Sequence, residues 1–485
     1  MRYINAALAF HTAMRSEDFR ERRCRNRNNL SEIVMLKQAK IKTYNAGFYS
    51  SAFLFLLLLA TNFGQDAFAQ NSPQGKTPVI VIPGLVGSEL FNKQTGKSVW
   101  FRLGRSKKDD LRLPLSENLK SMRDNLAPRD ALRSIKIGFL PRKQIYGSLI
   151  EALKKQGYEE GSWENPKASD TLFVFAYDWR RDNVENARLL IEKIENLKRL
   201  LNQPNLKFNV VAYSMGGLIA RYAAMYGAAD LPNSDETPQL DWTGAKHFNR
   251  IVLIGAPNQG SLLALKSLAD AFAIFPFNQN LPFVQKITKF DLFTMPAVFQ
   301  LLPNNDAFKV FDENLRPLKI DIYDAQNWEK YGWGALNDAR FAKQFDAADR
   351  SRARLYFLKV LERAKRFQAA LNNNSGGAQP IPFSLIGADC KTTLDSIIVY
   401  RDKKNKSWKT LFKAKEFVRG DGKKASEAEL KKILFAPGDG IVSKSSLLNN
   451  TAAPFGETPA GFQCEEHNLL VTNKAIQARL SQLLK

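Results

Sequence analysis

The sequence is poor in the side chains that most often carry metal and redox chemistry: its 485 residues include three cysteines and three histidines. Three cysteines exclude a cysteine-based zinc framework and a small fold stapled by disulfides. The chain also lacks visible repeats and any succession of long apolar runs, which excludes collagen-like and polytopic membrane proteins. With 44% hydrophobic residues it is too apolar for a disordered tail. The histidines are His11, His247 and His467, so a mechanism that needs an imidazole has few candidates. Length alone points to two or three domains, or to one large α/β enzyme with insertions.

Acidic charge is scarce too, with 71 Lys+Arg against 48 Asp+Glu and a formal net charge of +23. Such a balance suits peripheral contact with an anionic membrane, and nothing in the motifs calls for a nucleic acid. Part of the excess lies between Arg401 and Lys432, with twelve Lys/Arg against five Asp/Glu. That stretch reads either as a solvated charged loop or hairpin, or as a membrane-facing patch. Near the N-terminus, Thr43 to Gln65 carries no charge, Lys37, Lys40 and Lys42 precede it, and Ala67-Phe68-Ala69 follows. This is the pattern of a secretory signal peptide cleaved before Gln70, the alternative being an uncleaved membrane anchor. Residues 1–69 are thus expected to be an extension plus signal, with Met35 an alternative start, and 70–485 an exported domain, periplasmic or extracellular.

Beyond residue 77, short β-rich runs alternate with helical ones, which predicts an α/β fold: a mostly parallel sheet with helices on both faces. The predicted strands are Val79 to Ile82, Leu172 to Tyr177, Phe208 to Tyr213, Arg250 to Ile254 and Pro382 to Ile386. Predicted helices cover Ile145 to Lys155, Val184 to Leu201 and Met215 to Tyr226. Two long segments break the alternation. Residues 91–144 are polar, basic and irregular, and read as a lid-like insertion; 262–375 carries aromatic Phe272 to Phe277 and a helix near Asp346 to Leu371, and reads as a cap.

The chemistry centres on Ala212-Tyr213-Ser214-Met215-Gly216, between a β-rich run and a helix. A nucleophile elbow holds its serine on a strained turn, where flanking side chains must be small. Here the flanks are Ala212 and Gly216. An esterase elbow then requires an acid and a histidine downstream, in that order. His467 alone fits, because His247 lies at the entry side of the sheet and His11 in the leader. Asp439, in the turn Gly438-Asp439-Gly440, is the matching acid. Acyl transfer also needs two backbone N–H groups aimed at the oxyanion, one after the nucleophile and one from the turn after an earlier strand. Met215 and Leu85, the latter in Pro83-Gly84-Leu85-Val86-Gly87-Ser88, occupy those places.

In order along the chain, PVIVIPGLVGSEL from Pro78, VFAYDWRRD from Val174, VVAYSMGGLIARY from Val210, IVLIGAPNQGS from Ile251, PGDGIV from Pro437 and EEHNLL from Glu465 resemble the lecithin:cholesterol acyltransferase family, which includes phospholipid:diacylglycerol acyltransferases. The resemblance covers most of residues 77–485 and implies an α/β-hydrolase fold, with Ser214, Asp439 and His467 as catalytic residues and Leu85 and Met215 as oxyanion amides. It also implies a membrane phospholipid as acyl donor. There are departures: the cysteine pair that ties down the lid in the animal acyltransferase is missing, Ala212 replaces Gly, and Ser443 stands where relatives often have Pro. Cys390 and Cys464 lie near positions where a family disulfide can occur, and both bonded and free states remain open.

The reaction expected is serine-dependent transfer of a fatty acyl group to an alcohol acceptor or to water, needing neither metal nor organic cofactor. A plain phospholipase or lipase using water, and a catalytically silent lipid-binding relative, are the alternatives. Asp178 and Arg180 are expected to pair with each other near the site.

Overall fold

Val79, Ile80, Val81 and Ile82 are all buried, because the strand they form, β1 (Val79–Ile82), is covered on both faces. The structure, a computed structural model, describes residues 76–102, 110–136, 141–232, 236, 238–270, 287–373, 379–402, 406–448 and 460–485. All of these belong to the unit Pro73–Lys485. The expected signal sequence, His11 and Phe272 to Phe277 lie outside the described residues.

Side chains alternate across a strand, so β1 feeds two separate cores. Ile80 and Ile82 join one, with α2 (Asn183–Leu200) and α3 (Met215–Tyr226); Val79 and Val81 join the other, with α1 (Gly147–Lys155) and α6 (Lys474–Leu483). The remaining strands are β2 (Leu172–Val174), β3 (Phe208–Tyr213), β4 (Phe248–Ile254), β5 (Phe383–Gly387) and β6 (Ala460–Phe462). They lie in the order β6-β5-β4-β3-β1-β2. Every pairing is parallel. Parallel neighbours bring the chain out at one edge of the sheet each time, and β1, β3 and β4 sit side by side at its centre.

Three differences from the sequence reading stand out. Strand β2 ends at Val174 instead of continuing to Tyr177, because the Tyr177 N–H donates to Ser88 Oγ at 3.2 Å and not to a neighbouring strand. Strand β6 was not anticipated, being three residues, Ala-Gly-Phe, with no periodicity to reveal it. The 91–144 stretch is not wholly irregular: Ser88–Asn92, Ser98–Trp100 and Leu126–Ala131 form a three-stranded antiparallel sheet.

The 262–375 segment ends in the long helix α4 (Ala347–Leu371), whose N-cap Asp346 accepts from Asp349 N–H. Its strand Lys309–Phe311 pairs with Ser396–Arg401, which pairs in turn with Trp408–Leu411. The basic 401–432 stretch therefore contributes to a side sheet that shares strands with the 262–375 segment. No helix among the described residues is long and apolar enough to cross a membrane.

Candidate active site

Ser214 stands where β3 gives way to α3, with φ 54° and ψ −126°. A serine tolerates this strained conformation only where its surroundings hold it. Its N–H donates to Ile254 O at 2.8 Å, which ties the turn to the end of β4. The small flanks are required by contact: a Cβ on Gly216 would lie 2.5 Å from Pro83 O, and Ala212 is fully buried. One methyl fits at 212, and none fits at 216.

Asp439 follows Phe435–Gly438, a strand that pairs antiparallel with Lys391–Leu394 beside the main sheet and not within it. The turn is built by its own carboxylate: Oδ1 accepts from Ile441 N–H at 2.9 Å and Val442 N–H at 2.7 Å. Gly440 N–H donates to Thr393 Oγ1 at 2.8 Å. Ser443, the departure from proline, accepts from Ser446 N–H at 3.3 Å and so caps the helix α5 (Lys444–Leu448).

Asp439 Oδ2 lies 2.7 Å from His467 Nδ1, and His467 Nε2 lies 2.9 Å from Ser214 Oγ. A carboxylate only accepts, so Nδ1 carries the proton and donates it to Asp439; Nε2 is then left to accept from the serine hydroxyl. Asp439 and His467 are almost wholly buried, at 3% and 6% exposure. Tyr213 backs the imidazole: its ring centroid is 5.0 Å from that of His467, and its hydroxyl donates to His467 O at 2.8 Å. Cys390 and Cys464 form a disulfide, Cα to Cα 5.3 Å. One end lies beside the strand that carries Thr393, the other three residues before His467.

The turn after β1 is bonded at several points. Tyr177 O–H donates to Pro83 O at 2.8 Å, Trp100 Nε1–H to Val86 O at 2.8 Å, and Trp179 Nε1–H to Ser88 O at 3.1 Å. Gly87 N–H closes the turn onto Gly84 O at 3.0 Å. Among the described residues neither the Leu85 nor the Met215 amide donates to a protein acceptor. Leu85 lines an open cleft whose lining includes Ser214 and His467 and is otherwise dominated by side chains such as Leu132, Ile145, Leu263 and Val442; Met215 directly follows Ser214.

Asp178 and Arg180 do pair, at 2.9 and 2.8 Å. A partner not anticipated, Asp124, takes the other side of the guanidinium at 2.6 and 3.0 Å. Arg180 thereby fastens the 91–144 segment to the start of α2. His247 is remote from this centre, buried at the entry to β4, where burial, Lys198 and Lys246 push its pKa down to about 4. Among the described residues no group of three or more His, Cys, Asp or Glu is placed to hold a metal ion.

Tyr177, Trp179, Trp100 and Thr393 are the supporting residues that the sequence reading missed. Only the first two carried a signal, the distinctive Tyr177-Asp178-Trp179-Arg180 run, whose role could not be read without the fold.

Residues 128–350 match the family model described as Lecithin:cholesterol acyltransferase. This is the family that the motifs resemble. The matched span contains the Ser214 elbow and ends before Asp439 and His467. The protein is a lipid-acting serine hydrolase or acyltransferase. No curated protein matches the sequence. Among solved structures, that of a Tle4–Tli4 complex is similar with a TM-score of 0.54 and 15% identity, over 84% of this chain and 98% of that one. The chain has the α/β-hydrolase fold. The mature form of Bacillus licheniformis lipase BlEst2 aligns at 12% identity over 86% of this chain and 95% of that one, with a TM-score of 0.35.

Proposed function

We propose that the protein moves a fatty acyl group from a membrane phospholipid to an alcohol acceptor or to water through an acyl-enzyme on Ser214. The observation that carries this reading is the unbroken line Asp439 Oδ2, His467 Nδ1, His467 Nε2, Ser214 Oγ, with steps of 2.7 and 2.9 Å, opening on an apolar cleft.

His467 Nε2 takes the serine proton as Ser214 Oγ attacks the ester carbonyl, and the imidazolium so formed faces Asp439. The Leu85 and Met215 amides receive the oxyanion. His467 then returns the proton to the departing lysophospholipid oxygen as the C–O bond breaks, leaving the acyl group on Ser214. An alcohol or water enters, gives its proton to His467 and attacks the acyl-enzyme; the proton goes back to Ser214 as the product leaves. The apolar lining favours an acyl chain by burial of its methylenes, about 0.8 kcal/mol each. Nothing in these steps draws on a metal or an organic cofactor.

Export of the chain is part of this proposal, and the Cys390–Cys464 bond supports it, because such bonds persist in oxidising compartments. The test is mass spectrometry of products from phosphatidylcholine or phosphatidylethanolamine vesicles, with and without an alcohol, for the protein and for Ser214→Ala. Lysophospholipid with acylated alcohol is the expected result and marks a transferase; lysophospholipid with free fatty acid alone marks a phospholipase. Absence of any Ser214-dependent product overturns the lipid reading.

A further inference from the structure

Tyr146 is the N-cap residue of α1, yet its side chain makes no capping bond. Its hydroxyl runs instead under the turn after β1 and accepts from Gly84 N–H at 2.8 Å. The hydroxyl is tucked so close that a Cβ on Gly87 would lie 2.8 Å from it. Tyr146 is 2% exposed and borders the cleft that holds Ser214 and His467. Burial raises its pKa, so the phenol keeps its proton and stays a neutral acceptor for the Gly84 amide.

The backbone around it closes a loop of contacts on the same turn. Leu132 N–H donates to Gly87 O at 2.8 Å, and Tyr146 N–H donates to Leu132 O at 3.3 Å. The turn is therefore gripped at Gly87 by the chain at Leu132 and at Gly84 by the phenol that Leu132 helps to place. The Leu85 N–H shares its peptide plane with Gly84 O, which accepts from Gly87 N–H at 3.0 Å, while the Tyr146 hydroxyl holds the preceding plane through Gly84 N–H; the two bonds together set the Gly84 dihedrals and so where the Leu85 amide points. The Tyr146 ring also meets Tyr213 edge-on, centroids 5.9 Å apart, and Tyr213 in turn supports His467.

We infer that Tyr146 is a positioning residue of the acyl-transfer centre: its hydroxyl, bonded to Gly84 N–H, helps to hold Gly84 in the conformation in which the Leu85 amide faces the reacting carbonyl, and so couples the start of α1 to the oxyanion hole. This rests on the reading of Ser214 as nucleophile. The effect belongs to the transition state, where charge on the carbonyl oxygen is largest, and leaves binding of the neutral ester nearly untouched. Removing an oxyanion donor outright costs about a hundredfold to a thousandfold in kcat, so misaiming one costs about tenfold to a hundredfold.

The experiment measures kcat and KM for p-nitrophenyl octanoate with the full chain, Tyr146→Phe and Ser214→Ala, alongside thermal melting. A second variant with 3,5-difluorotyrosine at 146 keeps the shape and weakens the hydroxyl as an acceptor, so it reports even if Tyr146→Phe does not fold. Expected are a fall in kcat with KM within about twofold in each folded variant, and no activity in Ser214→Ala. Unchanged kcat in a folded Tyr146 variant, or a loss confined to KM, overturns the inference while an inactive Ser214→Ala leaves the underlying reading standing. Full activity in Ser214→Ala overturns that reading and the inference with it.

Discussion

Asp439 holds His467 twice: its carboxylate takes Nδ1 at 2.7 Å, and its backbone carbonyl takes the His467 N–H at 2.9 Å. The side-chain bond sets the tautomer and the backbone bond sets where the ring starts. Twenty-eight residues separate the two, and the chain between them contributes β6 and one half of the disulfide.

Asp439→Asn should therefore leave the fold and destroy the chemistry. An amide at 439 can accept from Ile441 and Val442 through its oxygen, but it then presents an NH2 to Nδ1 and favours the wrong tautomer. The expected loss in kcat is about a thousandfold to ten-thousandfold, with KM little changed. Steady-state kinetics on a soluble ester and a melting curve together decide it.

Arg180 predicts the opposite balance. Its guanidinium is fully buried between Asp178 and Asp124, and breaking a buried pair leaves uncompensated charge at a cost of about 3–5 kcal/mol. Arg180→Lys keeps a charge but loses the two-sided geometry. The melting temperature should fall by several degrees, whereas the fraction that remains folded still labels at Ser214 with a fluorophosphonate. Loss of labelling without loss of stability would put Arg180 in the chemistry instead.

The Cys390–Cys464 bond closes a segment of 74 residues, for which loop-closure entropy gives about 4 kcal/mol of stabilisation. Cys390→Ser with Cys464→Ser should lower the melting temperature of the folded chain, and thiol counting on the denatured protein should find neither cysteine free. Because the bond ends three residues before His467, reduction is also expected to depress kcat.

His247 supplies a pH effect on stability. Its pKa is depressed to about 4 in the folded chain, mainly by burial, with Lys198 and Lys246 adding to the effect. Between about pH 6.5 and 4 the unfolded chain binds the extra proton, so folding weakens as pH falls through that window and is unaffected above it. Thermal melts of His247→Gln should show a smaller drop between pH 7 and 5 than the natural chain, and an equal drop would contradict the assignment.

Local patterns carried the central strands and the helices that follow them, because a buried parallel strand is a short apolar run and an amphipathic helix repeats at its own period. His467 was legible for a second reason, scarcity: with three histidines, elimination leaves one, whereas Ser214 was marked by its elbow and Asp439 by its Gly-Asp-Gly turn, and the structure brings the three together. What local patterns cannot show is who touches whom across the sheet. Tyr177 O–H on Pro83 O, Asp124 on Arg180 and Tyr146 on Gly84 are separated by 94, 56 and 62 residues, and nothing periodic links them. The side sheet escaped for a different reason: Lys309–Phe311, Pro317–Leu318 and Trp408–Leu411 are two to four residues long, too short for periodicity to show, and the buried apolar run Ser396–Arg401 pairs with them far from its own place in the sequence.

The most direct test of the account is to trap the acyl group. The full chain is mixed with a p-nitrophenyl fatty ester, quenched in acid within the first turnovers and digested, and the peptides are weighed. The account predicts one peptide heavier by the fatty acyl residue, with the mass on Ser214, and no such peptide from Ser214→Ala. An acyl group on another side chain, or turnover in Ser214→Ala, would contradict it.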